Sequence, residues 1–204
     1  MPPAGYRATH ETEIKKSRFI ADFARTDSSE QAREFIASIK SVYPDARHHC
    51  TAFVICTDNV RTARSSDDGE PAGTAGIPML TALLKEDVEN VTVVVTRYFG
   101  GIKLGAGGLT RAYGGAVADG LAAMPRVVRE VRPIWEVALP HADAGRIQED
   151  LIREGAVILR VDYSERVSVQ LTYNGDVPDL LARTTQGKLV PSLIGEDTIE
   201  VPAQ

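Results

Sequence analysis

Three stretches of this 204-residue chain hold residue types and spacings that can do chemistry. The first is RYFGGIKLGAGGLTRAYGG (residues 97–115), which lies just after the apolar run VTVVV and contains seven glycines, the cations Arg97, Lys103 and Arg111, and no acid. A glycine-rich turn between a strand and a helix start exposes unpaired backbone N–H groups at the positive end of a helix dipole, which is a setting for an anion such as phosphate. In that reading Gly100, Gly101, Gly105, Gly107 and Gly108 supply the backbone, while Arg97 at the strand end and Arg111 in the first helical turn supply charge. The competing reading gives the glycines to positive φ and close helix–strand packing, and leaves the cations in water. Two common nucleotide patterns are excluded. No Gly-Lys-Ser/Thr triplet completes a Walker A loop, and Thr110 stands where the third glycine of G-x-G-x-x-G would follow Gly105 and Gly107.

The second stretch is SSDDGEPAGTAG (residues 65–76). Asp67, Asp68 and Glu70 could share Mg²⁺ with a phosphate ligand, since that ion takes one or two carboxylates plus substrate oxygens. DDGEP is equally a turn whose carboxylates favour the helix start after it. The low helix propensity of PAGTAG, with Thr74 inside it, asks for a path fixed by packing or by a ligand. The third is ARHHC (residues 46–50), where His48 and His49 point to opposite faces of a strand and cannot both hold one ion. One histidine could serve as a base or bond to a carboxylate of the acidic loop. No Ser or Cys nucleophile is marked as its partner, so no catalytic set, metal site or cofactor is expected. Cys50 and Cys56 share a strand face about 20 Å apart and cannot bond to each other.

These stretches need elements to position them. Alternating apolar residues predict a strand over Glu13–Ala24, and Asp27 with Glu30 has the spacing of a helix N-cap pair. The helix that follows places Ala32, Phe35, Ile36, Ile39 and Val42 on one face. RHHCTAFVICTD and NVTVVVTRYF read as strands, the second buried on both sides under at least one helix layer. A helix is expected from about Thr74, and another over residues 108–123 that begins inside the glycine-rich stretch. Near residue 130 the pattern changes to strand 134–139, helix 143–154, strand 156–163, strand 167–173, helix 177–186 and a last strand to about 201. That order is βαββαβ, the ferredoxin-like split.

Composition places limits on function. With 43% hydrophobic and 25% charged residues, the chain has the make-up of a globular protein with an ordinary core. The opening MPPAGYRATHETEIKK has no apolar signal-peptide core, no segment is apolar enough to span a membrane, and the cysteines read as reduced thiols. A cytoplasmic location is therefore expected. Residues 1–130 hold sixteen Lys/Arg against sixteen Asp/Glu, and residues 131–204 hold seven against twelve, so the net charge of −5 lies wholly in the last third. Any contact with nucleic acid has to use a local cationic patch in the first two thirds.

SRFIA (17–21), ARHHCTA (46–52), SDDGEPAGTAGIPML (66–80) and NVTVVVTRYFGGIKLGAGGLTRAYG (90–114), in that order, resemble the IMPACT family, and within it the bacterial, YigZ-type members. The resemblance implies an α+β protein of two domains. Residues 1–130 would form an N-terminal domain like the second domain of ribosomal protein S5, and 131–204 a ferredoxin-like domain similar to modules of elongation factor G. Arg97, Tyr98, Phe99, Gly100, Gly101, Leu104 and Gly105 match the family signature, as do His48, Asp67, Asp68, Gly69, Glu70, Pro71, Gly73 and Thr74. The Lys103 position is often apolar in the family, which implies that its charge is not the shared feature. Eukaryotic relatives regulate translation initiation by competing for an activator of an initiation-factor kinase, through an extra N-terminal interaction domain that these 204 residues do not include. The function implied is therefore that of a non-enzymatic binding protein linked to translation or stress, with RNA, the ribosome or a translation-related protein as partner. The alternative is an enzyme of phosphate esters or nucleotides that uses the glycine turn with Mg²⁺ on DDGE.

Overall fold

The computed structural model describes residues 1–58 and 60–203. The chain divides into two compact units, Met1–Val128 together with Pro202 and Ala203, and Arg129–Val201. In the first, strands β1 (Arg7–Ile14), β2 (Ser17–Arg25), β3 (His48–Thr57), β4 (Val60–Ser66) and β5 (Val91–Tyr98) form one sheet in the order β1-β2-β5-β3-β4. Every neighbouring pair in it is antiparallel. Helices α2 (Gly76–Lys85) and α3 (Ala106–Ala122) bury Met79, Leu83, Leu109, Tyr113 and Val117 against Phe19, Phe23, Cys50, Val93 and Val95 on one face. Helix α1 (Ser29–Val42) covers the other face through Ala32, Phe35 and Ile39. The expectation of burial on both sides of the Val run holds, since Val91 to Arg97 are all buried.

Two edge strands differ from the sequence reading. The single strand expected over Glu13–Ala24 is a hairpin, split by a turn at Lys15 and Lys16 with φ of 48° and 66°. β4 occupies VRTARSS, where no strand was expected. Both lie at sheet edges and are built mostly of polar residues, so no apolar alternation marks them in the sequence. Helix α1 is capped one residue later than expected: Ser28 Oγ accepts from Gln31 N–H (3.2 Å), and Gln31 Oε1 accepts from Asp27 N–H (2.7 Å). The N-cap is thus Ser28, with Gln31 reaching back one residue further to Asp27 N–H, rather than an Asp27–Glu30 box, and Val42 is exposed.

In the second unit β6 (Val127–Leu139), α4 (Ala144–Arg153), β7 (Val157–Tyr163), β8 (Val167–Thr172), α5 (Val177–Thr185) and β9 (Ser192–Pro202) form a four-stranded sheet in the order β7-β8-β6-β9, the ferredoxin-like arrangement. Leu139, Ile147, Leu151, Val169, Leu171, Leu180 and Leu181 form its core. Asp176 caps α5 by accepting from Asp179 N–H at 2.7 Å, and Gly155 closes α4 at a φ of 91°.

Candidate functional site

Arg97 stands at the end of the central strand β5, paired across the sheet with Phe19 on one side and His48 on the other. Its side chain is 8% exposed, and its guanidinium lies 5.6 Å from the ring centres of both Phe19 and Phe99. Nη1 donates to Glu70 Oε1 at 2.7 Å, and the same oxygen accepts from Tyr113 O–H at 2.8 Å. Tyr113 is fully buried on α3 and meets Phe19 edge-on, and burial drives its phenol well above the ordinary range. Strand, acidic loop and helix are thereby tied at one buried carboxylate. Arg97 Nε is buried with no hydrogen-bond partner among the described residues.

The rest of the acidic loop is turned inward on its own backbone. Asp67 Oδ1 accepts from Ala75 and Gly76 N–H (3.0 and 2.8 Å), and Oδ2 accepts from Gly73 N–H (2.8 Å), so it caps α2 in place of the side-chain cap the helix itself lacks. Burial pushes the Asp67 carboxyl up, but these three hydrogen bonds outweigh it and hold the group below the ordinary carboxylate range. For Asp68, burial likewise opposes a larger lowering by Lys40, whose Nζ lies 2.8 Å from Oδ1, and by His49 N–H, 2.8 Å from Oδ2. His48 Nδ1 lies 3.0 Å from the Asp68 carbonyl rather than from a carboxylate, and His49 Nε2 lies 2.9 Å from the Tyr43 carbonyl. Thr74 Oγ1 donates to the Pro71 carbonyl at 2.7 Å. Asp67, Asp68 and Glu70 therefore each have separate partners, and no set of three metal-ligating side chains occurs among the described residues.

In front of Arg97 opens a cavity of about 560 Å³, within the ordinary range for ligand sites. Its walls include Glu70, Pro71, Arg97, Leu104 and Leu109; Arg47, His48, Tyr98, Phe99 and Lys103 also line it, together with Gly105 and Ala106. Phe99 is 56% and the neighbouring Ile102 44% exposed, a hydrophobic display on a loop whose other residues are three glycines, Lys103 and Leu104. Gly105 starts α3 at a φ of 71°, a conformation that favours glycine, and no side chain caps the helix there. Gly100 has another reason: a Cβ on it would stand 2.0 Å from the Lys16 carbonyl group, so the loop leaves β5 pressed against the β1–β2 turn.

The structure brings together Arg97, Glu70, His48 and Gly105, with the α3 start beside them. Arg111 is not there. It lines a shallow groove between α2 and α3 with Ile77, Pro78 and Gly115. Gly101, Gly107 and Gly108 shape the loop and first helical turn without lining the cavity. Lys103, which the resemblance set aside, lines it, and so does Arg47, which lies in the ARHHC stretch but has no role in the reading of it. Among the described residues the lining holds no Ser, Thr or Cys. Cys50 is buried behind it, donates to the Asp67 carbonyl at 2.9 Å, and burial pushes its thiol up to about 12. What the cavity offers is hydrogen-bond donors, the buried Glu70 carboxylate and the exposed Asp45 carboxylate, which accepts from Tyr98 O–H at 2.8 Å, among apolar and aromatic walls.

A family model described as the Impact N-terminal domain matches residues 15–121, which span the acidic loop, Arg97 and Tyr113. This chain belongs to the IMPACT family. It is 43% identical over 161 residues to IMPACT family member YvyE of Bacillus subtilis (strain 168), covering 79% of this chain and 74% of that one. It is 54% identical over 110 residues to IMPACT family member YigZ of Escherichia coli (strain K12), covering 53% of this chain and 54% of that one. A solved structure described as the crystal structure of an hypothetical protein aligns with a TM-score of 0.59 and 38% identity over 96% of this chain and 97% of its own. Arg97, Glu70 and Gly105, which the resemblance placed in the family signature, lie within the matched residues and line the cavity together.

Proposed function

We propose that this IMPACT family member is a non-enzymatic, cytoplasmic binding protein that holds single-stranded RNA at the mouth of the Arg97 cavity in the service of translation. The translational setting comes from the family resemblance, whose eukaryotic members regulate initiation. The observation that carries the RNA reading is the cavity rim: exposed Phe99 and half-buried Tyr98 stand beside Arg47, Lys103 and the uncapped start of α3. Bases stack on aromatic rings while cations and helix N-termini hold phosphate, and single-strand binders combine these two features. The β1–β2 turn whose backbone adjoins Gly100 carries two further exposed cations, Lys15 and Lys16, outside the cavity lining. No ion pair is formed by Arg47 or Lys103 among the described residues, which leaves both free for phosphate.

The phosphate-ester reading is less well supported, because the DDGE carboxylates it needs for Mg²⁺ already serve Gly73, Ala75, Gly76, Lys40, Arg97 and Tyr113. Fluorescence anisotropy with a labelled single-stranded RNA tests the proposal. Phe99→Ala is expected to weaken binding about tenfold, the value of one stacked base at roughly 1–3 kcal/mol. A variant that binds as tightly as the native chain removes the stacking role on which the proposal stands.

A further inference from the structure

We infer that the Arg97 cavity takes one unstacked guanine base and reads it through Glu70 and Arg97. The inference rests on the RNA reading above and names the base it selects. The Glu70 side chain is 4% exposed, yet both of its hydrogen bonds fall on Oε1. Oε2 receives none among the described residues and, unlike Arg97 Nε, is not sealed off; Glu70 itself lines the cavity. A carboxylate oxygen so placed has two lone pairs to offer, and leaving them unmet in a site that sheds water is costly. Beside it, Arg97 uses only Nη1 on Glu70, so guanidinium donor capacity remains at the same wall.

The complement of that pair is a flat edge with donors next to an acceptor. Guanine presents N1–H and the N2 amine in a row beside the O6 carbonyl. The two donors fit the two open positions of Oε2, and O6 fits the guanidinium. Adenine and cytosine offer one amine next to an acceptor, and uracil a single N–H between two carbonyls, so each leaves part of the carboxylate unmet. Leu104 and Leu109 give the apolar walls a base plane needs, Phe99 stands at the mouth to stack, and Lys103 lies where the adjoining phosphate would pass. The volume of about 560 Å³ admits a nucleotide.

The test uses the full chain and short single-stranded RNAs identical except for one central base, measured by competition anisotropy. Guanine is expected to bind about tenfold tighter than adenine, cytosine or uracil, in line with the discrimination of one bidentate base contact. Inosine, which lacks only the N2 amine, is expected to fall between guanine and adenine. Changing the ligand leaves the buried ion pair intact. Glu70→Gln, checked for folding by thermal melting, is expected to narrow the guanine preference. Equal affinity for all four bases overturns the guanine assignment while RNA binding itself stands, and inosine equal to guanine overturns the Glu70 contact. Absence of binding by every oligomer overturns the RNA reading and the inference with it.

Discussion

Glu70 accepts from Arg97 and Tyr113 through one oxygen and lines the cavity, so a single side chain holds the site together and, in the proposal, also meets the base. Removing Arg97 strands that carboxylate. Arg97→Ala is expected to destabilise the chain by about 3–5 kcal/mol, the usual cost of leaving a buried charge unpaired, measured by urea denaturation. Loss of binding in that variant would therefore say little about recognition, and Phe99 and Lys103 at the rim are the better probes. Asp67 gives a second prediction. Its folded pKa is depressed, so its stabilisation is complete above the ordinary carboxyl value of about 3.9 and is lost as pH falls through the lower folded value. Asp67→Ala is expected to cost about 2–3 kcal/mol at neutral pH and to flatten the loss of stability below pH ~4, measured by denaturation across that range. An unchanged acid profile would mean that the three backbone bonds do not govern it.

At the level of elements, the loop from Tyr98 to Gly105 is fixed at both ends by glycine geometry. Gly100→Ala places a methyl against the Lys16 backbone and is expected to cost about 1–3 kcal/mol. Gly115, in the middle of α3, has no neighbour within 4 Å of a new Cβ, and Gly115→Ala is expected to add about 0.5–1 kcal/mol of stability. Chemical denaturation of the two variants checks both signs. The elements that sequence made legible are those with buried faces and marked ends. β5 shows itself by its Val run, α5 by Asp176 and the ferredoxin-like unit by its order of elements. β1 and β4 carry RATHETEI and VRTARSS, polar edge strands defined by pairing that no single stretch encodes. The site was legible in part for the same reason. Arg97 and the DDGE loop stood out as motifs, but the bond between Arg97 and Glu70 joins residues 27 apart, and Tyr113 lies inside the helix expected over residues 108–123 with nothing in the sequence to pair it with Glu70. Arg47 stands inside the ARHHC stretch, where the two histidines draw the chemistry and the arginine is given none.

For the molecule as a whole, charge decides how RNA could bind. The first 130 residues are neutral on balance and the remainder carries the net −5, so attraction to RNA has to come from a handful of cations around one rim. Neutralising three or four phosphates with Arg47, Lys103, Lys15 and Lys16 gives an expected slope of roughly −2 to −3 in log K against log salt for single strands. A much steeper slope would point to a cationic surface larger than this rim. The most direct test of the account is an anisotropy titration of single-stranded RNA at fixed salt with the native chain, Phe99→Ala and Lys103→Glu. The account predicts saturable binding by the native chain that weakens about tenfold without the ring and further with the reversed charge. Saturable binding that neither change at the cavity rim affects would contradict it, and so would no binding by the native chain.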